Sequence, residues 1–376
     1  MQSVTRTLRR LCLAVAGVTL AASAAAQTTE AWPTKPVTLI APFTPGGTTD
    51  LVARALATQL QTLWSQPVIV DNKPGAGGTV GAALTARAPA DGYTLLLANV
   101  GHTAAAALYK NLPYEFTTHL ESITSVAQVP NVLLVPKSLP VANVGELIKY
   151  MKDRKGAVSY GSAGIGSTQH LSAELLKSLA KVEATHIPYK GAAPMMTDLI
   201  GERIDFAIDS AGSAAAQLNG GHVKALGVTT LKRAVAFPAL PTLDESGLPG
   251  YVATTWYSIA VPKGTPPAVK QKIYRGIVDA LATPGMKNVL AGMSADPGVC
   301  RLPSSTAMCA LKSSAGPPWC KTAPPSRNDP LPPRRVGANF LRLTHADFSN
   351  LQFFLPYPYS SGHWRPHTTG LRTAGL

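Results

Sequence analysis

Apolar residues along the chain follow two spacings that alternate. Short β-branched runs predict strands, and recurrence every three or four residues, as in Leu51, Ala55, Leu56, Leu60 and Leu63, predicts helices. The predicted strands cover residues 36–42, 67–71, 94–98, 131–136, 157–161, 184–188, 205–209, 223–229 and 254–261. The predicted helices cover residues 48–64, 77–88, 143–154, 167–180, 191–201, 211–220, 266–282 and 284–292. This alternation predicts βαβ units and an α/β fold with mostly parallel sheets flanked by helices.

The pattern holds more strands than one sheet comfortably accommodates, so we expect two lobes. Two apolar, extended segments that end in proline, residues 129–136 and 256–262, are predicted to cross between them. We place lobe one at residues 30–132 plus 252–298 and lobe two at residues 133–251. The crossing strands are then expected to act as a hinge.

The two ends of the chain differ from the rest. Three arginines precede an apolar stretch from Leu11 to Ala25, and Ala26 completes a small-residue cleavage pattern, so residues 1–26 are predicted to be an export signal peptide. Residues 299–376 are basic, contain 11 of the 32 prolines and show no helical periodicity. We expect this tail to be poorly ordered.

The formal net charge of +14 comes mostly from these ends. Residues 299–376 carry nine Lys or Arg against two Asp or Glu, and residues 27–298 keep a net charge of only +4. So small an excess is not typical of a nucleic-acid-binding surface, and no nucleic-acid partner is expected. The stretch 27–298 also contains no cysteine, which fits an exported domain that folds without disulfides.

Two glycine-rich turns stand out because each joins a predicted strand to the start of a predicted helix. The first is Pro42–Asp50 and the second is Gly161–His170, and neither contains Lys or Arg. Glycine lets the backbone approach a ligand, and a helix start offers unpaired N–H groups and the positive end of the helix dipole. The pair predicts a site for a small carboxylate between the lobes. The alternative for each turn is an ordinary βα loop with a Ser or Thr cap.

The glycine-rich segments do not match phosphate-binding or nucleophile motifs. No lysine follows the glycines of the second turn, as a P-loop requires, and the sequence after Ser162 does not fit a nucleophile elbow. A third stretch, residues 71–81, has Val80 where a dinucleotide fingerprint needs glycine. Spacing reveals no metal-ligand set and no catalytic constellation, so we predict no cofactor, no metal and no catalytic residue.

Three polar side chains at predicted strand ends are further candidates. Asn99 and His102 follow the strand at 94–98, and Asp209 ends the strand at 205–209. Asn99 could hydrogen-bond a ligand, whereas His102 could equally be a satisfied structural histidine. Asp209 could cap the next helix, accept a ligand amine or hydroxyl, or order the facing loop.

Several segments, in the same order, resemble the substrate-binding receptors of tripartite tricarboxylate transporters, also called Bug-type receptors. The resemblance covers about residues 30–298. The matching segments are residues 32–33, 36–40, 42–50, 71–78 (DNKPGAGG), 89–95 (PADGYTL), 160–164 (YGSAG), 187–191 (IPYKG) and 247–250 (GLPG), together with Asp209.

The resemblance implies a two-lobed periplasmic binding protein, type II-like, without enzymatic activity. It is expected to bind a small organic carboxylate, such as a dicarboxylate, an amino acid or an aromatic acid, and to deliver it as a monomer to membrane permease subunits. By this likeness residues of lobe one and residues of lobe two grip the ligand from opposite sides, and a third group tunes selectivity. These residues are, in that order, Phe43, Pro45, Gly46 and Gly47; Ser162, Gly166, Ser167 and Thr168; and Asn99, His102 and Asp209.

Two other functions stay open at the level of sequence. A periplasmic hydrolase would use Ser162 with His170 or His102, and a sensor subunit would present its ligand to a membrane kinase. The resemblance stops near Gly298, where the family continues with an acidic helix. We hypothesise that a frameshift in the coding sequence replaced that ending.

Overall fold

The computed structural model describes residues 32–298, so the predictions for the signal peptide and for the tail lie outside the described residues. A short 3₁₀ turn covers Ala76–Gly78. The strands are β1 (Val37–Ala41), β2 (Val68–Asn72), β3 (Thr94–Asn99), β4 (Leu120–Pro136), β5 (Ser159–Ser162), β6 (Thr185–Pro188), β7 (Phe206–Ser210), β8 (Val223–Val228), β9 (Thr254–Pro262) and β10 (Asp296–Pro297). The helices are α1 (Thr48–Trp64), α2 (Thr79–Arg87), α3 (Val100–Leu108), α4 (Phe116–His119), α5 (Val144–Arg154), α6 (Thr168–Ala180), α7 (Ala192–Ile200), α8 (Ala211–Asn219), α9 (Pro267–Ala282) and α10 (Pro284–Gly292).

Helix α1 shows how the apolar pattern determines an element. Val52, Leu56 and Leu60 recur every fourth residue and are fully buried, each contributing on the order of 2 kcal/mol of apolar transfer free energy. Leu51, which lies off this face, and Leu63, in the last turn of the helix, are 38% and 44% exposed. The buried face is therefore rotated slightly from the predicted one.

Strand β4 is shared by two halves of the sheet. Its residues 120–130 pair antiparallel with β9, and its residues 131–136 pair antiparallel with β7 and β8. The strand order β2-β1-β3-β9-β4-β7-β5-β6 therefore runs through a first half, up to β4, and a second half that begins there. Parallel pairing is confined to β2-β1-β3 and to β6-β5-β7. The predicted α/β class is confirmed, with a sheet that is mixed because both long strands run antiparallel to their neighbours.

A buried hydrogen-bond network lies where β4 passes from one half to the other. Asn131 Nδ2 donates to Ala253 O at 3.1 Å, and the Thr229 hydroxyl donates to Asn131 O at 3.1 Å. The hydroxyls of Ser210 and Thr255 donate to Asn131 Oδ1 at 3.0 and 2.8 Å. These bonds tie β4 to β7, to the start of β9 and to the segment after β8. The lobe boundaries given above stay a prediction.

The structure adds α3, α4 and the first part of β4 to the predicted elements. Residues 104–107 of α3 are four consecutive alanines, which show no amphipathic stripe. In β4, polar residues such as Ser122 and Thr124 are buried between neighbouring strands, so the alternation expected of a half-buried strand is absent. Within residues 32–298, no helix combines the length and the apolar character needed to cross a bilayer.

Candidate ligand-binding site

A small cavity lies where the two halves of the sheet meet. The cavity has a volume of about 20 Å³, counted over the positions that the centre of a water molecule can occupy. This is room for about one water molecule. The halves are thus closed on each other. The lining residues are Phe43, Gly47, Thr48, Thr49, Asn99, Ala163, Thr168, Gln169, Ala192, Ser210, Ser213, Thr255 and Tyr257.

Five helices begin at this cavity. Helices α1, α6 and α7 start with the lining residues Thr48, Thr168 and Ala192, and the lining residues Asn99 and Ser210 are the N-cap residues of α3 and α8. Each helix start carries about half a positive charge and N–H groups that have no intrahelical acceptor. The lining contains no Lys or Arg. The partial positive charge at the cavity therefore comes from helix starts and not from cationic side chains.

Asp50 holds the first glycine turn in shape. Its buried carboxylate accepts hydrogen bonds from Gly46 N at 3.1 Å, Arg54 Nε at 3.0 Å and Asn72 Nδ2 at 3.0 Å. Asn72 Nδ2 also donates to Phe43 O at 3.0 Å. Burial acts to raise the pKa of Asp50, but the Arg54 guanidinium, the Gly46 N–H and the Asn72 amide together hold it below its usual value. The turn is thus anchored by a charged network.

The structure divides the four predicted residues of the first turn into two pairs. Phe43 and Gly47 line the cavity. Pro45 and Gly46 are exposed and lie outside the lining, and the N–H of Gly46 is taken by Asp50. Gly46 has a φ of +85°, so glycine is needed here for the shape of the turn.

His102 supports the loop that carries Asn99. His102 Nδ1 accepts from Asn99 N at 3.0 Å, and Nε2 lies 3.2 Å from Gly78 O. Burial lowers the pKa of His102 to about 4, against the opposing effect of the carbonyl oxygens of Asn99 and Gly78 beside the ring. The ring is therefore neutral, with its proton on Nε2. Asn99 lines the cavity and His102 does not, so the geometry matches the structural alternative for this histidine.

Neutral groups hold the second glycine turn in shape. Gly166 N donates to His170 Nδ1 at 3.2 Å, and Ser167 Oγ accepts from His170 N at 3.3 Å as the N-cap of α6. Ser162 Oγ accepts from Gly164 N at 3.1 Å. The predicted residues Ser162, Gly166 and Ser167 thus form hydrogen bonds within the second turn and with the start of α6. None of the three lines the cavity.

Thr168 is the predicted second-turn residue that faces the cavity. It is the first residue of α6 and only 2% exposed. Its Oγ1 atom is buried and has no hydrogen-bond partner within the described structure. Since a buried hydroxyl without a partner costs about 1–3 kcal/mol, this atom marks a place where a ligand oxygen would be stabilised.

Ser162 pairs with His186, a residue that the sequence did not single out. Ser162 Oγ lies 2.6 Å from His186 Nε2, and the ring of His186 stacks on that of His170 with 4.2 Å between centroids. Burial, with the neighbouring His170, lowers the pKa of His186 to about 4. The pair lies outside the cavity lining. The hydrolase alternative named His170 or His102 as partner, and the structure gives Ser162 a different one.

Asp209 acts on the cavity through two neighbours. The carboxylate is fully buried and accepts from Ser210 N at 2.8 Å, Gln169 Nε2 at 3.2 Å and Ser213 Oγ at 2.6 Å. Burial raises the pKa of Asp209, although these three donors favour its charged form. Gln169 and Ser213 line the cavity and Asp209 does not. This geometry corresponds to the alternative in which Asp209 orders the surrounding groups.

Glycines allow the two halves to approach each other along the rim of the cavity. A Cβ atom added to Gly77 would lie 2.0 Å from Ile165 O, and one added to Gly101 would lie 2.8 Å from Gly166 O. Tyr109 spans the same contact, donating its hydroxyl to Ile165 O at 2.8 Å. The glycines of this rim therefore permit close contact between backbones.

Sequence reasoning missed nine of the lining residues. Thr48, Thr49, Ala163 and Gln169 lie within the two predicted turns but were not singled out there as site residues. Those on β7, α8 and β9 come together only in the folded chain. The nine are Thr48, Thr49, Ala163, Gln169, Ala192, Ser210, Ser213, Thr255 and Tyr257. Among residues 32–298, no three His, Cys, Asp or Glu side chains are grouped to hold a metal ion.

Three solved structures are similar to this chain over most of its length. The periplasmic binding protein BugD is 39% identical, covering 71% of this chain and 89% of that one, with a TM-score of 0.69. An R. palustris protein with adipate is 38% identical, covering 74% and 93%, with a TM-score of 0.71. MatC from Rhodopseudomonas palustris with bound malate is 32% identical, covering 70% and 90%, with a TM-score of 0.68.

These similarities confirm the predicted two-lobed binding-protein fold. The family described as "Tripartite tricarboxylate transporter family receptor" matches residues 52–303, well over half of the chain. The match agrees with the resemblance that the sequence motifs indicated. The chain therefore belongs to the tripartite tricarboxylate transporter receptor family and is a solute-binding receptor of that family.

Proposed function

We propose that this protein is exported to the periplasm, closes its two halves on a small organic carboxylate and presents that ligand to membrane permease subunits. The observation that carries the proposal is the convergence of five helix starts on one cavity without Lys or Arg. Helix starts stabilise a negative charge through their N–H groups and dipoles. A carboxylate is the common metabolite group that matches such a site.

Neutral donors suit a receptor that must release what it binds. A buried ion pair imposes a large desolvation penalty and is strongly destabilised when one partner leaves. Backbone N–H groups and hydroxyls hold an anion without leaving an unpaired buried charge after release. The unpartnered Thr168 hydroxyl is the side chain that supports this view most directly.

The small size of the cavity supports a closing motion. Room for about one water molecule cannot admit an organic acid, so a ligand enters only if the halves move apart. We infer that β4 and β9 are the hinge, because the chain passes between the halves along β4 and at the start of β9. The network around Asn131 would keep the crossing intact during this motion.

The related structures support a carboxylate as the ligand class. One was solved with adipate and another with malate, and both ligands are dicarboxylates. We propose the same class for this chain, and delivery to a permease follows from the family's description as a transporter receptor.

The ligand class can be tested with a thermal-shift screen of the full-length mature protein. The panel contains mono-, di- and tricarboxylates, and the control for each acid is its uncharged amide, such as succinamide for succinate. A ligand present at 100 times its Kd is expected to raise the free energy of unfolding by about 2.7 kcal/mol. The proposal predicts that at least one acid raises the Tm and that its amide does not. Equal shifts with acids and amides, or none with any acid, would contradict it.

The receptor function can be separated from hydrolysis with Ser162→Ala. The Ser162–His186 contact lies outside the cavity, so the bound acid is expected to be recovered chemically unchanged from both proteins. Conversion of the ligand by the wild type, lost in Ser162→Ala, would favour the enzyme instead.

A further inference from the structure

We propose that the cavity prefers carboxylates that carry a hydroxyl or ammonium group near the carboxylate. This inference rests on the proposed function and narrows its ligand class. The inference is drawn from the hydrogen-bond acceptors to which the hydroxyl groups of one cavity wall donate their protons. We call this wall, formed by Ser210, Ser213 and Thr255, the acceptor wall.

The orientation of Asn131 determines the behaviour of two of these hydroxyls. Asn131 is fully buried, and its Nδ2 donates to Ala253 O at 3.1 Å, which fixes which end of the amide is the oxygen. The oxygen, Oδ1, then receives hydrogen bonds from Ser210 Oγ at 3.0 Å and Thr255 Oγ1 at 2.8 Å. A carbonyl oxygen has two lone pairs, so it can accept both protons.

Ser210 and Thr255 therefore turn their protons away from the cavity. Their oxygens lie 3.3 Å apart, so a proton that leaves Asn131 Oδ1 still finds an acceptor in the other hydroxyl. A hydroxyl that has given its single proton to an internal acceptor can only accept from a ligand. Both residues line the cavity and are buried, at 3% and 2% exposure.

The third hydroxyl of the wall, that of Ser213, donates its proton to the Asp209 carboxylate. Ser213 Oγ donates to Asp209 Oδ2 at 2.6 Å, and Thr48 Oγ1 in turn donates to Ser213 Oγ at 3.1 Å. Ser213 N donates back to Thr48 Oγ1 at 2.9 Å. The chain of donors thus runs from the first half, through Ser213, to a buried carboxylate. Neither Thr48 nor Ser213 has a proton left for an anion.

The remaining hydroxyls of the cavity complete an asymmetric arrangement. The Tyr257 hydroxyl forms hydrogen bonds with those of Thr49 and Ser210, so it too is engaged within the protein. Thr168 is the exception, because its hydroxyl has no partner within the described structure. Asn99 accepts from Gly101 N through Oδ1 at 3.1 Å, which directs its NH₂ group away from that bond.

The cavity thus has donors on one side and acceptors on the other. Helix starts, Thr168 and Asn99 offer donors to a carboxylate. The acceptor wall repels a second carboxylate oxygen but receives an O–H or an N–H. A ligand without such a group leaves buried lone pairs unpaired, and sites built to hydrogen-bond a ligand hydroxyl discriminate strongly against analogues that lack it.

Calorimetric titration with matched pairs of acids tests this preference. The pairs are succinate with malate, propionate with lactate, and phenylacetate with mandelate. Aspartate and alanine test an ammonium group in place of the hydroxyl, by comparison with succinate and propionate. We expect the substituted acid to bind at least about tenfold more tightly in the pair whose carbon skeleton fits, since one satisfied hydrogen bond supports a factor of that order.

Two variants locate the preference in the acceptor wall. Ser210→Ala removes one acceptor, and Thr255→Val removes another while preserving shape. Each is expected to reduce the preference several-fold, because the substituted acid loses an acceptor and the unsubstituted acid no longer leaves that oxygen unpaired. The matched control is Ser122→Ala, since Ser122 is also a buried strand serine but lies outside the cavity.

The outcomes separate this inference from the proposed function. If no acid binds, the proposed function fails. If acids bind but the unsubstituted member is as tight in every pair, or if both wall variants retain the full preference, this inference alone is overturned.

Discussion

The two glycine-rich turns resemble each other in sequence, yet different chemistry holds each in place. The first is anchored by the Asp50 carboxylate, which binds Gly46, Arg54 and Asn72. The second is anchored by neutral groups, above all the imidazole of His170, which accepts from Gly166 N. The comparison shows that similar loops can respond differently to acid. A carboxylate with a lowered pKa stays charged, whereas an imidazole that acts as an acceptor loses that ability when it is protonated.

The largest expected effect concerns His102, which is an imidazole support within the first half. Its pKa is lowered from 6.5 to about 4, so the unfolded chain binds a proton that the folded protein excludes. The stabilisation is complete above pH 6.5 and is lost as pH falls toward 4, for a total of about 3 kcal/mol. Urea unfolding at pH 4 to 7 should show this slope, and His102→Gln should reduce it, while the contribution of His186, whose pKa is also lowered to about 4, remains. His119→Gln, an exposed control, should keep the slope. An unchanged slope in His102→Gln would contradict the assignment.

Asp50→Asn tests the charged anchor of the first turn. The substitution leaves the Arg54 guanidinium and the Gly46 N–H with a weaker acceptor, so we expect a loss of about 2 kcal/mol in the free energy of unfolding at pH 7. Because the pKa of Asp50 is lowered, this contribution is present above the ordinary carboxyl value and disappears only as pH falls below it. The loss should therefore be the same at pH 5 and 7. Asp71→Asn, on an exposed ion pair with Lys73, should change stability little.

Gly101→Ala tests whether the second turn must dock closely against the first half. A Cβ atom at this position would lie 2.8 Å from Gly166 O, and Gly101 is helical, so alanine introduces no backbone strain. We expect closure to be impaired and ligand affinity to fall about tenfold with little change in Tm. Gly292→Ala is the control, because nothing lies within 4 Å of the added atom. Equal affinities of the two variants in calorimetry would argue against a closed rim.

The smallest expected effect is the response of the second turn to acid. Burial and the nearby Lys177 lower the pKa of His170, and Glu174 acts in the opposite direction; its stacked neighbour His186 also titrates low. As pH falls below the ordinary imidazole value of about 6.5, protonation of His170 Nδ1 should break the Gly166 bond and weaken ligand binding about threefold. His170→Asn keeps an acceptor that does not titrate, so its affinity should not change with pH. A pH dependence shared by both proteins would place the titrating group elsewhere.

Much of the fold could be predicted from the sequence because its elements are local. Helix α1 and helix α10 begin and end where the apolar spacing and the proline at residue 284 predict. The antiparallel pairing of β4 with β9 could not be predicted, because it joins residues more than a hundred positions apart. The same limit, pairing between residues distant in sequence, explains why only part of the site could be predicted. Phe43, Gly47, Asn99 and Thr168 were identified from their turns, whereas Thr255 and Tyr257 reach the cavity only through that pairing.

The most direct test of the central claim, that helix starts from both halves bind one carboxylate, is calorimetry on Thr168→Val. The variant removes the buried hydroxyl that has no partner among residues 32–298, and valine preserves the shape of the side chain. The acid that gives the largest thermal shift is titrated into the wild type, Thr168→Val and the exposed control Thr58→Val. The account predicts that affinity falls about tenfold in Thr168→Val and is unchanged in Thr58→Val. Equal affinity in all three proteins would contradict it.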